Sequence, residues 1–274
     1  MTDQARALRN TRPLTFEPPT HNIEDGTAIV VGSGKGGVGK SLVAVTIASS
    51  LAASGKRVLL VDADFNLGTL HVLLGVRPSI QPEVLLDPDA SVESLVVPVC
   101  HNLWLMPAAS GAESLQRLGP HERVRWHRRV TQLFPDYDAV IVDCSAGLDG
   151  ALRVTAMQAS RLLLVTTPEP AALTSAYALI KLVHGRLPRL PIDILVNRTV
   201  HPDEGAAAVS RIHEACQRFL GREVRYLGAI DEDPGMRASL AHPERLVDPA
   251  AAGRAQERLR EILARHLLEE DRES

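Results

Sequence analysis

Residues 34–41 read Gly34-Lys35-Gly36-Gly37-Val38-Gly39-Lys40-Ser41, and this stretch decides the fold. Its spacing satisfies G-x-x-x-x-G-K-[ST], the pattern of a phosphate-binding loop. An apolar run at 28–31 leads into it and a helix-like run at 42–51 leads out, which is the strand–loop–helix context such a loop needs. Glycines let successive backbone N–H groups turn inward on phosphates, and the helix N-terminus adds a favourable dipole. Lys40 can reach β- and γ-phosphates, and the Ser41 hydroxyl suits a Mg²⁺ position. The nucleotide-binding candidates are therefore Gly34, Gly36, Gly37, Val38, Gly39, Lys40, Ser41 and Leu42.

With 274 residues and 45% apolar content, the chain is long enough for one sizeable α/β core. Aromatic residues make up only 3%, so packing must rely on Leu, Val, Ile and Ala. A net charge of −3 gives no global reason to expect nucleic acid as a direct partner. Cys100, Cys144 and Cys216 stand far apart, which fits a reduced cytoplasmic compartment and signals no metal cluster. No apolar run approaches membrane-spanning length, so the chain reads as soluble. The basic run 123–129 has helical spacing that puts Trp126, Val130 and Leu133 on one face. Its arginines are left to solvent or to a protein partner.

Residues 1–25 stand apart: polar, with Pro13, Pro18 and Pro19, and a short helix-like stretch only at 3–9. They read as a helix plus flexible linker ahead of a domain at 26–274. From Thr27 onward, strand-like runs at 28–31, 57–61, 103–106, 139–142, 162–166, 192–196 and 225–229 alternate with helix-like segments. Many of these strands are continuously apolar, as strands covered on both faces should be. The expected fold is α/β: a doubly wound, mainly parallel sheet with helices on both faces and its ligand beyond the carboxyl ends of the strands. Asp62 and Asp64 end the second of these strands and Asp143 ends the fourth. Carboxylates buried at strand ends are costly unless paired or near a metal; loop capping is the plainer alternative.

Lys35, directly after the first glycine, has no duty toward the phosphates of its own loop. Here the chain resembles the deviant Walker A loop of the MinD/ParA superfamily. That resemblance implies a Mg²⁺-dependent ATPase cycling between ATP and ADP. It also implies an ATP-bound homodimer in which each Lys35 crosses to the partner's nucleotide and meets charge developing there. It further implies that Ser41, Asp62 and Asp143 serve the metal, that Lys40 and Asp64 act with Lys35 in catalysis, and that Asn197 reads adenine. Asp64 would orient the attacking water, and residues 231–234 would close over the base. The segment Cys144-Ser145-Ala146-Gly147-Leu148-Asp149-Gly150 is similar to the superfamily's second switch, with Cys144 a small packing residue.

Asp3-Gln4-Ala5-x-x-Leu8-Arg9 matches the DQAxxLR segment of the FlhG (FleN, YlxH) family, which regulates flagellar number and position. Further similarity runs through 101–107, 166–170, 174–181, 218–221 and 226–228. The family resemblance implies that Asp3, Gln4, Ala5, Leu8 and Arg9 activate FlhF, a GTPase of the signal-recognition-particle type, with Gln4 helping to position water. It leaves open flagellar switch (C-ring) proteins or a flagellar transcription regulator as further partners, and recruitment to the cell pole or the inner face of the membrane. A ParA-like ATPase positioning another cargo, chromosome or division site, is the alternative. Two departures stand out. Relatives read Leu-Gly-Leu-Ala-Asn where this chain has Phe65-Asn66-Leu67-Gly68-Thr69. Relatives also end in a basic amphipathic helix, whereas here the apolar stripe Ala255, Leu259, Ile262, Leu263 and Leu267 suits core packing and the chain ends Glu269-Glu270-Asp271-Arg272-Glu273-Ser274. Acidic residues there argue against membrane association.

Overall fold

The computed structural model describes residues 28–64, 68–78, 87, 89–108, 120–147, 158–235, 242–248, 251 and 253–266. The candidates Asp3, Gln4, Ala5, Leu8 and Arg9, the 1–25 segment, Phe65–Leu67 and Leu267 lie outside the described residues. Among those described, eight strands form one sheet in the order β3-β4-β2-β5-β1-β6-β7-β8. The strands are β1 (Ala28–Gly32), β2 (Val58–Ala63), β3 (Val97–Cys100), β4 (Leu103–Met106), β5 (Ala139–Cys144), β6 (Arg161–Thr166), β7 (Ile192–Thr199) and β8 (Arg225–Asp231). All neighbours pair in parallel except β3 with β4.

The continuous apolar strand runs are explained by burial on both faces. Because side chains alternate along a strand, Leu59, Val61, Val140, Val142, Leu162 and Leu164 enter one core. Val58, Leu60, Ile141, Leu163 and Val165 enter the other. The first core is closed by α3 (Pro120–Thr131), α4 (Pro170–Arg186) and α5 (Glu204–Leu220). The second is closed by α1 (Lys40–Ala53), the short α2 (Leu70–Leu73), α6 (Pro243–Val247) and α7 (Arg254–His266). Trp126, Val130 and Leu133 are buried as their spacing predicts, and so are Ala255, Leu259, Ile262 and Leu263. Cys144 is fully buried among apolar neighbours.

One strand escapes the sequence reading. β3 contains Pro98, which lacks a ladder donor and normally argues against a strand. It is tolerated because β3 is the edge strand and pairs on one side only, with a register shift between Pro98 and Cys100. At the centre, β1 is flanked by β5 and β6, so chain crossovers depart to both sides of it. That divergence leaves a crevice at the carboxyl ends of the strands, where ligands of open α/β sheets bind.

Candidate nucleotide site

The crevice is built from the end of β1 outward. Ser33 ends the extended run and the chain then turns through Gly37 (φ 77°) and Gly39 (φ 93°) into α1. Positive φ at both positions calls for glycine. Two other requirements are steric. A Cβ on Gly34 would lie 2.2 Å from the backbone carbonyl of Ser175 in α4, and one on Gly39 would lie 2.3 Å from Nδ2 of Asn197. Around Gly36 and Gly37, by contrast, a Cβ would meet nothing within 4 Å, so this part of the loop presents bare backbone to open space. The first turn of α1 carries no acidic residue, and its N-terminal N–H groups are an anion site by their own polarity.

Behind the loop lie the charges. Asp62 on β2 and Asp143 on β5 are register partners, 0% and 2% exposed. Lys40 forms an ion pair with Asp143, and its ammonium also lies 3.3 Å from the Ser41 hydroxyl. Among the described residues Asp62 has no such cation; its carboxylate accepts N–H groups from Asp64 and Leu70, each at 3.1 Å. Burial, and next the neighbouring Asp143 charge, push the Asp62 carboxyl up to about 7. Burial also raises Asp143, with Lys40 pulling the other way. Two buried carboxylates thus stand side by side with a single lysine that pairs with Asp143 alone, a local excess of negative charge that a divalent cation would neutralise. Among the described residues no cluster of three or more His, Cys, Asp or Glu side chains forms a metal cage. That combination suits Mg²⁺, which is held through one or two carboxylates together with phosphate oxygens and waters.

The opposite wall of the cleft lies at the ends of β7 and β8. Asn197, at the end of β7, donates Nδ2–H to the Val38 carbonyl at 2.8 Å and so ties the loop to the neighbouring strand end. A cleft of about 310 Å³ runs from Gly36, Gly37 and Ser41 past Leu42 to Asn197 and Asp231–Asp233. The residues expected from sequence near the loop, Lys40, Ser41, Leu42, Asn197, Asp231 and Asp233, are therefore brought together. Lys35 is not: it is exposed and pairs with Glu169 at 2.9 Å, pointing away from its own cleft. Gly147, whose N–H donates to the Ser33 carbonyl at 2.8 Å, joins the loop following β5 to the base of the phosphate loop.

Several cleft residues went unnoticed in the sequence. Ala255 and Leu259 on α7 and Leu73 on α2 form apolar wall, and nothing in their local pattern distinguishes cleft from core. Arg198 also lines the cleft, and its left-handed backbone (φ 61°) is a conformation that sequence gives no warning of in an arginine.

Comparison with known proteins agrees with this geometry. The AAA domain family matches residues 26–187. The chain is 32% identical over 212 residues to the antiactivator FleN of Pseudomonas aeruginosa, covering 77% of this chain and 76% of that protein. It is 31% identical over 204 residues to the flagellum site-determining protein YlxH of Helicobacter pylori, covering 74% and 69%. Among solved structures, the septum site-determining protein MinD of Pyrococcus horikoshii, complexed with Mg-ADP, superposes with a TM-score of 0.70 at 25% identity, over 88% of this chain and 96% of that one.

Proposed function

The chain belongs to the AAA domain family and, within it, to the FleN and YlxH group of MinD/ParA-type P-loop ATPases, and we propose on that premise that it is a nucleotide-switched regulator of flagellar number or placement. It binds ATP and ADP with Mg²⁺ and hydrolyses ATP to ADP and phosphate. One observation carries this reading. The bare glycine backbone at 36–37 and Lys40 line one cleft, and the Lys40 ammonium pairs with Asp143, the register partner of the equally buried Asp62, at the carboxyl ends of β5 and β2.

The proposed roles are these. Lys40, held beside Ser41, exchanges part of its pairing with Asp143 for the β- and γ-phosphates when nucleotide enters. Ser41, Asp62 and Asp143 hold the Mg²⁺, directly or through water. Bound there, the ion neutralises charge on the phosphate oxygens. Asp64, one residue past β2, orients the water that attacks the γ-phosphate. The phosphate loop, Gly34 and Gly36 to Leu42, supplies the N–H cradle, and Asn197 faces the base. Lys35, free of its own cleft, leaves Glu169 to reach the nucleotide of a second copy in an ATP-bound homodimer. The N-terminal segment Asp3, Gln4, Ala5, Leu8 and Arg9 stimulates FlhF, with Gln4 placed at that enzyme's GTP.

GTP hydrolysis by the matching FlhF, measured with a peptide of residues 1–20, tests the partner assignment. Stimulation that disappears with Gln4→Ala is expected. No stimulation by either peptide, with FlhF itself active, leaves a MinD/ParA-type ATPase acting on a different cargo.

A further inference from the structure

At the opposite edge of the sheet from the nucleotide lies a second hollow, of about 330 Å³. Arg57, Trp104 and Tyr137 form its centre, with Pro98 beside them and the Glu93 and Asp136 carboxylates also lining it. The two rings meet edge to face with centroids 5.7 Å apart. The Arg57 guanidinium lies 5.9 Å from the Trp104 ring centroid and 5.7 Å from that of Tyr137. Stacking of this kind orients a guanidinium without using its N–H donors. Among the described residues those donors have no carboxylate or carbonyl acceptor; only the backbone N–H of Arg57 is used, on Asp138 at 2.7 Å. The nucleotide reading gives this hollow nothing to do.

Its surroundings name an occupant. β1 begins at Ala28, whose register partner is Val140 on β5, and Ala139 on β5 is in turn partner to Val58 on β2. Ala28, the first described residue of β1, therefore lies at the amino-terminal end of the strands, the end that carries Arg57 and Tyr137. From β1 to β4, which bears Trp104, is three strand spacings, about 15 Å. Pro19 stands nine residues before Ala28, a reach of up to roughly 30 Å. The sequence at that distance is Arg12-Pro13-Leu14-Thr15-Phe16-Glu17-Pro18-Pro19. Proline-rich stretches favour the extended polyproline conformation and dock on aromatic surfaces at little entropic cost. Glu17 offers the Arg57 guanidinium a carboxylate acceptor, and Arg12 carries the opposite charge to Glu93 and Asp136.

We propose that this hollow is an intramolecular docking site for the N-terminal arm of the same chain, with Phe16, Pro18 and Pro19 on Trp104 and Pro98 and with Glu17 on Arg57. Docking fixes the start of the arm on the face remote from the nucleotide. The inference concerns residues 12–19 and does not depend on Asp3–Arg9 activating a GTPase.

Hydrogen exchange of the full chain tests it, read at residues 96–104 and at residues 12–19. Glu17→Arg and Arg57→Glu are each expected to speed exchange about fivefold or more in both segments. The double charge swap is expected to restore protection, while ATP turnover stays at the wild-type value in all three. Protection independent of protein concentration identifies the arm of the same chain as occupant. Single variants that exchange like wild type, a double variant no better than the worse single, or protection that rises with concentration would overturn the proposal.

Discussion

Asp62 is the residue whose electrostatics are most exposed to experiment. In an unfolded chain its carboxyl titrates near 3.8, and in the fold near 7. Between those values the folded state keeps a proton that the unfolded state has lost. Its contribution to stability is therefore fully present below about 3.8, declines as the pH rises, and is gone above about 7. Urea unfolding of the nucleotide-free chain across pH 4 to 8 should show Asp62→Asn gaining on wild type as the pH increases. The glycines of the loop divide in the same concrete way. Gly34→Ala drives a Cβ into backbone of α4, which cannot step aside, whereas Gly36→Ala meets open space. Overpacking of the first kind costs about 1–3 kcal/mol, so Gly34→Ala should lower the thermal midpoint clearly while Gly36→Ala changes it little. Both variants can be compared in one calorimetry series.

At the scale of elements, strand β7 is locked at its start by Asp193, which pairs with Arg161 on β6 at 2.7 Å and Arg225 on β8 at 2.8 Å. The carboxylate is buried, but both arginines reach water. Asp193→Ala should therefore cost about 2 kcal/mol in urea unfolding, below the 3–5 of a pair buried at both ends. Neither arginine partner was legible in sequence, because they lie 32 residues to either side of Asp193 and meet only through parallel pairing. Most elements were legible, since strands buried on both faces announce themselves as unbroken apolar runs. β3 was not, because its only warrant is pairing at the sheet edge and its Pro98 spoke against it. The amphipathic stripe of α7 was read correctly as core, yet its first turns also wall the nucleotide cleft through Ala255 and Leu259. Periodicity shows which face is apolar, not what that face will meet.

Across the whole molecule, a short local motif located the site because the phosphate loop carries its ligand geometry within eight consecutive residues. The meeting of Asp143 and Asn197 with that loop, and of Asp62 with Asp143, required the order of the sheet, which sets β5 and β2 on one side of β1 and β7 on the other. Lys35 is the residue that a single copy does not explain, since its ammonium rests on an exposed glutamate at the surface. Among the described residues no helix is long and apolar enough to cross a membrane. The proposed function rests on a change of assembly driven by nucleotide. Sedimentation of wild type, Lys35→Ala and Asp64→Ala with Mg-ATP, alongside phosphate release, reads it directly. We predict that wild type turns ATP over, that Asp64→Ala accumulates as a dimer without releasing phosphate, and that Lys35→Ala binds ATP yet neither dimerises nor hydrolyses it. Equal turnover by all three, or a dimer indifferent to nucleotide, would contradict the switch.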